Sequence, residues 1–400
     1  MKLLLWILKK TGLDKYVNKI LKYLLFKKIY PRYYKKMSRK DINPKKVVFI
    51  EVRFKEITDS FKLIYERLEA QGYEISSCFL RNIVPGRRAY IERCLAMLRE
   101  IADAKYVFLN DACDVTSCIP LREETVMTQM WHGCGAFKKF GMSTAEKIFG
   151  ADRETLEKYP NYRNLSYVTV SSPEVVWAYE EAMDIKAEDK IVRPVGVSRT
   201  DIFFDEAFKK NAADKLKEVF PESEGKKVIL YAPTFRGRVK KAKSPNKLDV
   251  GYLKALLGDD YVLVLKHHPF VKKPPAVPAE HQDFARDVTK TMEIDELLCV
   301  SDICISDYSS LIFEYALFER PMLFFAYDLD NYFDWRGFYY NYDELAPGPI
   351  VTTNKEIVDY IRACENGFDK TRVRGFKEKF MSACDGHATD RILKMIGIEA

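Results

Sequence analysis

The sequence predicts an α/β protein of two doubly wound domains, each an open parallel sheet with helices on both faces, facing one another across a cleft. Three observations predict it. Short apolar runs alternate with helical periodicity along most of the chain, the pattern of parallel strands joined by crossover helices. The pattern pauses near residue 195 and restarts near residue 227. And the stretch 301–325, SDICISDYSSLIFEYALFERPMLFF, reads as strand, polar turn, helix and strand in direct succession.

The chain has 400 residues, of which 47% are hydrophobic, enough for more than one core. Its formal charge of +7 is unevenly spread. Residues 1–46 hold fifteen Lys and Arg against Asp14 and Asp41, a net +13, so the rest of the chain is net −6. A basic arm on a mildly acidic body is not the profile of a nucleic-acid binder, and no nucleic acid is expected as a partner.

The arm mixes Leu, Ile, Trp, Tyr and Phe with lysine. Its longest uncharged run, Leu3 to Leu8, is too short to span a bilayer, and no small-residue cleavage site follows a long apolar core. Trp6, Leu13, Val17, Ile20, Leu21, Leu24 and Leu25 share one face of a helix flanked by lysines. Such a helix either lies in an anionic membrane surface or docks on the body or on a second copy of the chain. The membrane reading places the protein peripherally on the cytoplasmic side. Removing residues 1–46 is expected to leave the body folded, because the first strand is expected at 47–52.

The first domain is expected over 47–204. After strand 47–52 come a helix over 57–70 that Gly72 ends, a strand at 73–79, a helix over 90–101 and a strand at 105–109. A strand at 125–131 delivers His132 and Gly133 at its carboxyl end, and a strand at 167–171 precedes a helix opened by Pro173. The linker falls at 194–205. The second domain, 205–400, has strands at 227–231, 261–265, 302–306 and 322–326 and a helix over 252–257. Final helices near 355–364 and 391–396 are placed to pack back on the first domain. Residues 239–246, basic and interrupted by Pro245, read as a loop beside the cleft.

The nine cysteines fall at no zinc-ligand spacing and read as reduced, buried or incidental thiols. No Asp-x-Asp or other carboxylate cluster reads as a metal cage, so no metal ligand is assigned; a magnesium ion accompanying a diphosphate is compatible with this.

Chemistry-bearing residues gather where strands end, which is where open α/β sheets place their ligands. Three of the five histidines, His132, His267 and His268, lie there. Ser309 and Ser310 open a helix at the end of a strand, where hydroxyls and free N–H groups suit a phosphate or else simply cap the helix. Arg236 follows Tyr231-Ala232-Pro233-Thr234-Phe235 and carries a fork of donors suited to phosphate. Gly133 and Gly135 allow close backbone approach to a ligand. Lys138 and Lys139 bind an acceptor phosphate or are surface lysines; Glu314 reaches a ribose or is a surface glutamate.

These segments occur in a specific order: Gln129-Met130-Trp131-His132-Gly133-Cys134-Gly135, then Ala232-Pro233-Thr234-Phe235-Arg236, then His268-Pro269, then Ser306-Asp307-Tyr308-Ser309-Ser310, then Asp328, Tyr332, Arg336 and Gly337. In that order, from about residue 129 to 340, the chain resembles the CDP-glycerol glycerophosphotransferase family of teichoic acid synthesis. The resemblance implies two Rossmann-like domains of the GT-B type. It implies transfer of a polyol phosphate, glycerol phosphate first, from CDP-glycerol or CDP-ribitol to a hydroxyl of a prenyl-linked acceptor, with CMP leaving. His132 is then the base on the acceptor hydroxyl, and His268 contacts the donor diphosphate. Thr234, Arg236, Ser309, Ser310 and Glu314 line the donor site, and Gly133, Lys138 and Lys139 the acceptor site. Where family members often read His-Gly-Thr-Pro this chain has Cys134-Gly135, and it looks closer to the shorter primases than to the long polymerases. Two other readings fit the same fold: a glycosyltransferase using a nucleotide-diphosphate sugar, and a non-catalytic surface-binding protein.

Overall fold

The structure, a computed structural model, describes residues 13–147, 150–237, 241–330, 332 and 337–399. Trp6, Leu3 to Leu8, Val239 and Arg336, singled out above, lie outside the described residues.

Two parallel six-stranded sheets form the body. The first runs β2-β1-β3-β4-β5-β6, from β1 (Asn43–Glu51), β2 (Glu74–Phe79), β3 (Ala104–Leu109), β4 (Val126–Gln129), β5 (Tyr167–Thr169) and β6 (Val192–Arg193). The second runs β12-β11-β10-β7-β8-β9, from β7 (Lys227–Tyr231), β8 (Tyr261–Leu265), β9 (Ala285–Asp287), β10 (Ile303–Ser306), β11 (Met322–Phe325) and β12 (Ile350–Val351). The central strands are buried on both faces, as the unbroken apolar runs Val47–Ile50 and Tyr261–Leu265 require. In the second sheet the order reverses between β7 and β10, so the loops after these two strands flank the crevice.

Several boundaries move from their expected places. The helix expected from residue 57 begins at Asp59, because the Thr58 N–H and hydroxyl both donate to Glu51 Oε1 (2.7 Å each). The strand expected through 131 ends at Gln129, since Trp131 takes a left-handed φ of 56° and turns the chain. The helix after Pro173 opens with a 3₁₀ turn before Val176–Met183. Helices at Arg153–Lys158, Glu206–Val219, Ile294–Val300 and Thr371–Met381 were not expected; their mixed charge hides a weak apolar stripe.

The arm divides in two. Helix Leu13–Leu24 runs through a π turn, Leu25–Ile29, into helix Tyr30–Met37. Leu25, Phe26, Tyr30 and Tyr34 are buried in the first domain's core, and the Tyr34 hydroxyl accepts from the Arg122 N–H (3.4 Å). Tyr16, Val17, Ile20, Tyr23 and Leu24 stay exposed. A cut after residue 46 would therefore remove core side chains. Burial of two tyrosines, at 1% and 0% exposure, decides this against the simpler expectation.

Of the two final helices expected to pack back on the first domain, Asn354–Glu365 does not, burying Ile357, Val358 and Ile361 against the second sheet; the chain end does cross back. Ile392, Leu393, Ile396 and Ile398, on and after helix Ala388–Met395, share a core with Val47, Phe49 and Phe61. Asp201 in the linker accepts from the N–H groups of Ala388 and Thr389, fixing the start of that helix.

Candidate active site

His132 follows β4 and sits in the cleft with one edge open to solvent. Its ring stacks on Trp131, with centroids 4.4 Å apart, and Trp131 stacks on Phe140. Its Nδ1 lies 2.8 Å from the Asn110 carbonyl oxygen, which can only accept. Nδ1 therefore carries the proton, and Nε2 is the basic nitrogen. Asn110 is itself held: its amide donates to Glu51 Oε2 (2.8 Å) and to the Thr58 hydroxyl (3.0 Å).

The surrounding protein desolvates the ring and lowers the His132 pKa below the usual 6.5, with Arg53 and Arg199 adding to the shift against Asp111 and the Asn110 carbonyl. A base kept neutral this way is expected to give a rate that is flat above neutrality. The rate should fall with acid only below pH 6.5, as His132 takes up its proton. A kcat/KM profile whose acid limb centres above 6.5 would contradict it.

Gly133 lies against the second domain: a Cβ built on it would come within 3.7 Å of Ser310 Oγ. Gly135, at φ 63°, would drive a Cβ to 2.4 Å from the Phe313 ring, so only glycine lets this loop press on helix Leu311–Ala316. Ser310 occupies that helix's N-cap without making a side-chain cap bond, and Ser309 Oγ accepts from the Leu311 N–H at a long 3.4 Å. Neither hydroxyl is committed as a strong cap.

The second-domain segments interlock. Asp307 Oδ1 accepts from the N–H groups of Thr234 (2.8 Å) and Tyr308 (2.6 Å). Arg236 donates from Nε and Nη2 to Asp328 (2.6 and 2.9 Å), from Nη2 to Asp307 Oδ2 (2.9 Å) and from Nη1 to the Thr234 carbonyl (2.5 Å). Burial alone would lower the Arg236 pKa, but Asp328 and Asp307 outweigh it and raise it. The sequence reading gave Arg236 to phosphate; here most of its fork is engaged by two carboxylates that tie three loops together. His268 packs between Phe235 and Phe270, and its Nδ1 accepts from the Phe270 N–H (3.1 Å), leaving Nε2 as the N–H donor. His267 is buried and bonds Ser244 through Nδ1 (2.7 Å), pointing away from a catalytic role.

Lys138 Nζ lies 5.1 Å from the Tyr332 ring centroid, and Tyr332 stacks on Tyr308 at 3.9 Å. The Lys139 N–H donates to the Gly337 carbonyl (3.2 Å), so the loop after His132 pairs with the 337–339 segment of the other domain. Glu314 is not a surface residue. It is 3% exposed, burial raises its pKa, and its Oε1 sits 3.7 Å from Arg199 Nη1.

Sequence reasoning missed Arg199. Its guanidinium pairs with Asp295 (2.5 Å) and Glu314, and Nη1 donates to the His132 carbonyl (3.4 Å), so one partly buried cation holds the His132 loop against the second domain. It also missed Asn110 and Asp111, although both directly follow β3 and the strand-end rule that singled out His132 applies equally to them. Among the described residues no group of three or more His, Cys, Asp or Glu side chains could hold a metal.

Two facing doubly wound domains, with a histidine-bearing loop of one closing on the strand-end loops of the other, define a transferase fold of the GT-B type. The chain belongs to the CDP-glycerol:poly(glycerophosphate) glycerophosphotransferase family, whose model matches residues 32–397. It is 35% identical over 356 residues to the teichoic acid ribitol-phosphate primase of Bacillus spizizenii, covering 88% of this chain and 90% of that one. It is also 35% identical to the teichoic acid poly(ribitol-phosphate) polymerase of the same organism, of which it spans 56%. The solved structure of the wall teichoic acid polymerase TagF superposes with a TM-score of 0.74 at 25% identity, covering 96% of this chain and 97% of that chain.

Proposed function

We propose that the protein transfers a polyol phosphate from a CDP-polyol to a hydroxyl of a lipid-linked saccharide or polyol-phosphate acceptor, releasing CMP. The observation that carries this is the neutral, Nε2-basic His132 held in a cleft opposite the Ser309–Ser310 helix start. The acceptor oxygen attacks the phosphorus bearing the polyol and gives its proton to His132 Nε2. A new P–O bond forms, the P–O bond to CMP breaks, and the electron pair leaves on the CMP phosphate. His268 Nε2–H and the N–H groups at the start of helix Leu311–Ala316 face that departing charge. Thr234 belongs to the same donor wall; Arg236 acts through Asp307 and Asp328. Gly133, Lys138 and Lys139 form the acceptor side. The family name points to glycerol phosphate, and the two relatives at 35% identity are named for ribitol phosphate. Purified protein incubated with each CDP-polyol and a prenyl-linked disaccharide should release CMP and add one polyol-phosphate mass from one donor. No CMP release from either would defeat the proposal.

We infer further that the enzyme acts peripherally on the cytoplasmic face of the membrane, with the domains divided near residues 46 and 204. No helix among the described residues is long and apolar enough to cross a membrane. Helix Leu13–Leu24 presents Tyr16, Val17, Ile20, Tyr23 and Leu24 to solvent among lysines, which suits insertion at an anionic surface. The full chain should float with anionic vesicles at low salt and be partly released at high salt. Deleting residues 1–24 should abolish flotation and keep turnover of a short lipid-free acceptor, with a small fall in melting temperature from the lost Leu21 packing and Lys22–Asp114 pair. Undiminished flotation after the deletion would assign the helix to another partner.

A further inference from the structure

Two apolar side chains outside the arm are left in solvent beside it. Ile83 is 65% exposed and Phe54 is 52% exposed. Ile83 is the third residue of the turn after β2, which the Val84 N–H closes on the Arg81 carbonyl (3.0 Å). Turns in solvent favour glycine, proline and small polar residues at such a tip, not isoleucine. Phe54 stands in the loop after β1. The two loops are neighbours: the Leu80 N–H donates to the Glu51 carbonyl (2.8 Å) and the Asn82 N–H to the Val52 carbonyl (3.0 Å). The arm joins them where Arg87 Nη2 donates to Asn18 Oδ1 (2.6 Å), and Lys22 of the same arm helix pairs with Asp114 in the segment after β3 (3.8 Å).

Single apolar residues scattered over a surface are ordinary; these are not scattered. Among the described residues twelve large apolar side chains are exposed, and eight of them are either on the arm between residues 16 and 29 or are Phe54 and Ile83. The charge around the turn is one-sided: residues 80–91 hold Arg81, Arg87 and Arg88 and no carboxylate. Arg88 pairs with Glu92 one turn on (2.9 Å), whereas Arg87 is bonded only to the neutral Asn18. Helix Arg87–Ile101 has no acidic residue in its first turn, so its dipole and its two arginines are uncompensated at the same end. Apolar tips interleaved with arginines complement an anionic bilayer, where the side chains enter the headgroup region and the guanidinium groups meet lipid phosphates. A stable protein partner would need a broad packed face, and two tips on separate loops beside an amphipathic helix do not supply one. The loops also share an edge with the catalytic base. In the parallel order β2-β1-β3-β4 every strand ends on one side, and strands about 4.8 Å apart put the end of β2 about 14 Å from the end of β4, which His132 follows.

We propose that the loops after β1 and β2 form a second membrane contact, with Phe54 and Ile83 entering an anionic bilayer surface beside the arm helix. The arm retains the enzyme at the surface; the loops orient it, holding the His132 edge of the first domain toward the lipid. The proposal rests on the peripheral-membrane reading of the arm, and its test separates the two. In the full-length enzyme, Ile83→Ser and Phe54→Ser are each expected to lower partition onto phosphatidylcholine–phosphatidylglycerol vesicles about 10-fold, the scale of withdrawing one large apolar side chain from an apolar phase. The melting temperature and turnover of a short lipid-free acceptor should stay at wild type, because both side chains are exposed and neither lies in the donor or acceptor loops. Contact itself is read in the full-length Ile83→Trp variant: vesicles with brominated acyl chains should quench the added indole beyond any quenching seen in wild type. Wild-type partition in both serine variants, or no added quenching in Ile83→Trp, overturns the second contact. If residues 1–24 are still required for flotation in that case, the arm reading stands without it. A full-length chain that does not float with these vesicles overturns both.

Discussion

His132→Ala is expected to lower turnover by about 10² to 10⁴ while CDP-polyol still binds. The size follows from what is removed: a neutral ring nitrogen left as a proton acceptor in the cleft, the other nitrogen being tied to the Asn110 carbonyl at 2.8 Å. Donor binding should survive because the donor loops, Thr234 to Arg236 and Asp307 to Ser310, are braced by one another and not by His132. Single-turnover kinetics beside calorimetry with CMP would separate the two effects. Wild-type turnover in the variant would remove His132 from the mechanism. Equal loss of CMP affinity would make it a donor ligand instead.

Arg236→Ala is expected to do two things at once. Asp307 is 2% exposed and Asp328 is partly buried, and both lean on this guanidinium. Removing it strands the charge on Asp307, a change that costs about 3–5 kcal/mol in buried pairs; the partial exposure of Arg236 places the expectation at the lower end. The ligand-free variant should melt several degrees lower, and CDP-polyol affinity should fall with it, because Asp307 also holds the N–H groups of Thr234 and Tyr308. Arg236→Lys, which keeps the charge but not the fork, should fall between the two proteins. If Arg236 served only to grip the donor phosphate, the ligand-free variant would melt like wild type and lose affinity alone. A thermal melt without ligand therefore tells the two roles apart.

The sequence by itself determined the α/β class, the two halves and the strand-end positions of His132, His268 and Ser309–Ser310. Apolar runs of strand length bounded by turn residues have one economical burial, between two layers of helices, and that burial puts the polar residues after each run at one edge of the sheet. The order of the segments was equally legible, since order along a chain needs no coordinates. Tertiary structure alone decided who meets whom. That Arg236 spends its fork on Asp307 and Asp328 depends on loops brought together from β7, β10 and β11. That the partly buried Arg199 partners the buried Glu314 depends on the linker meeting the second domain, where desolvation favours pairing of opposite charges. The arm is the plainest case. Its periodicity marked one amphipathic helix, but periodicity cannot say which stretch of an apolar face finds a partner. Packing buried Leu25, Phe26, Tyr30 and Tyr34 and left Tyr16, Val17 and Ile20 in solvent, because only the later turns lie against the first domain's core.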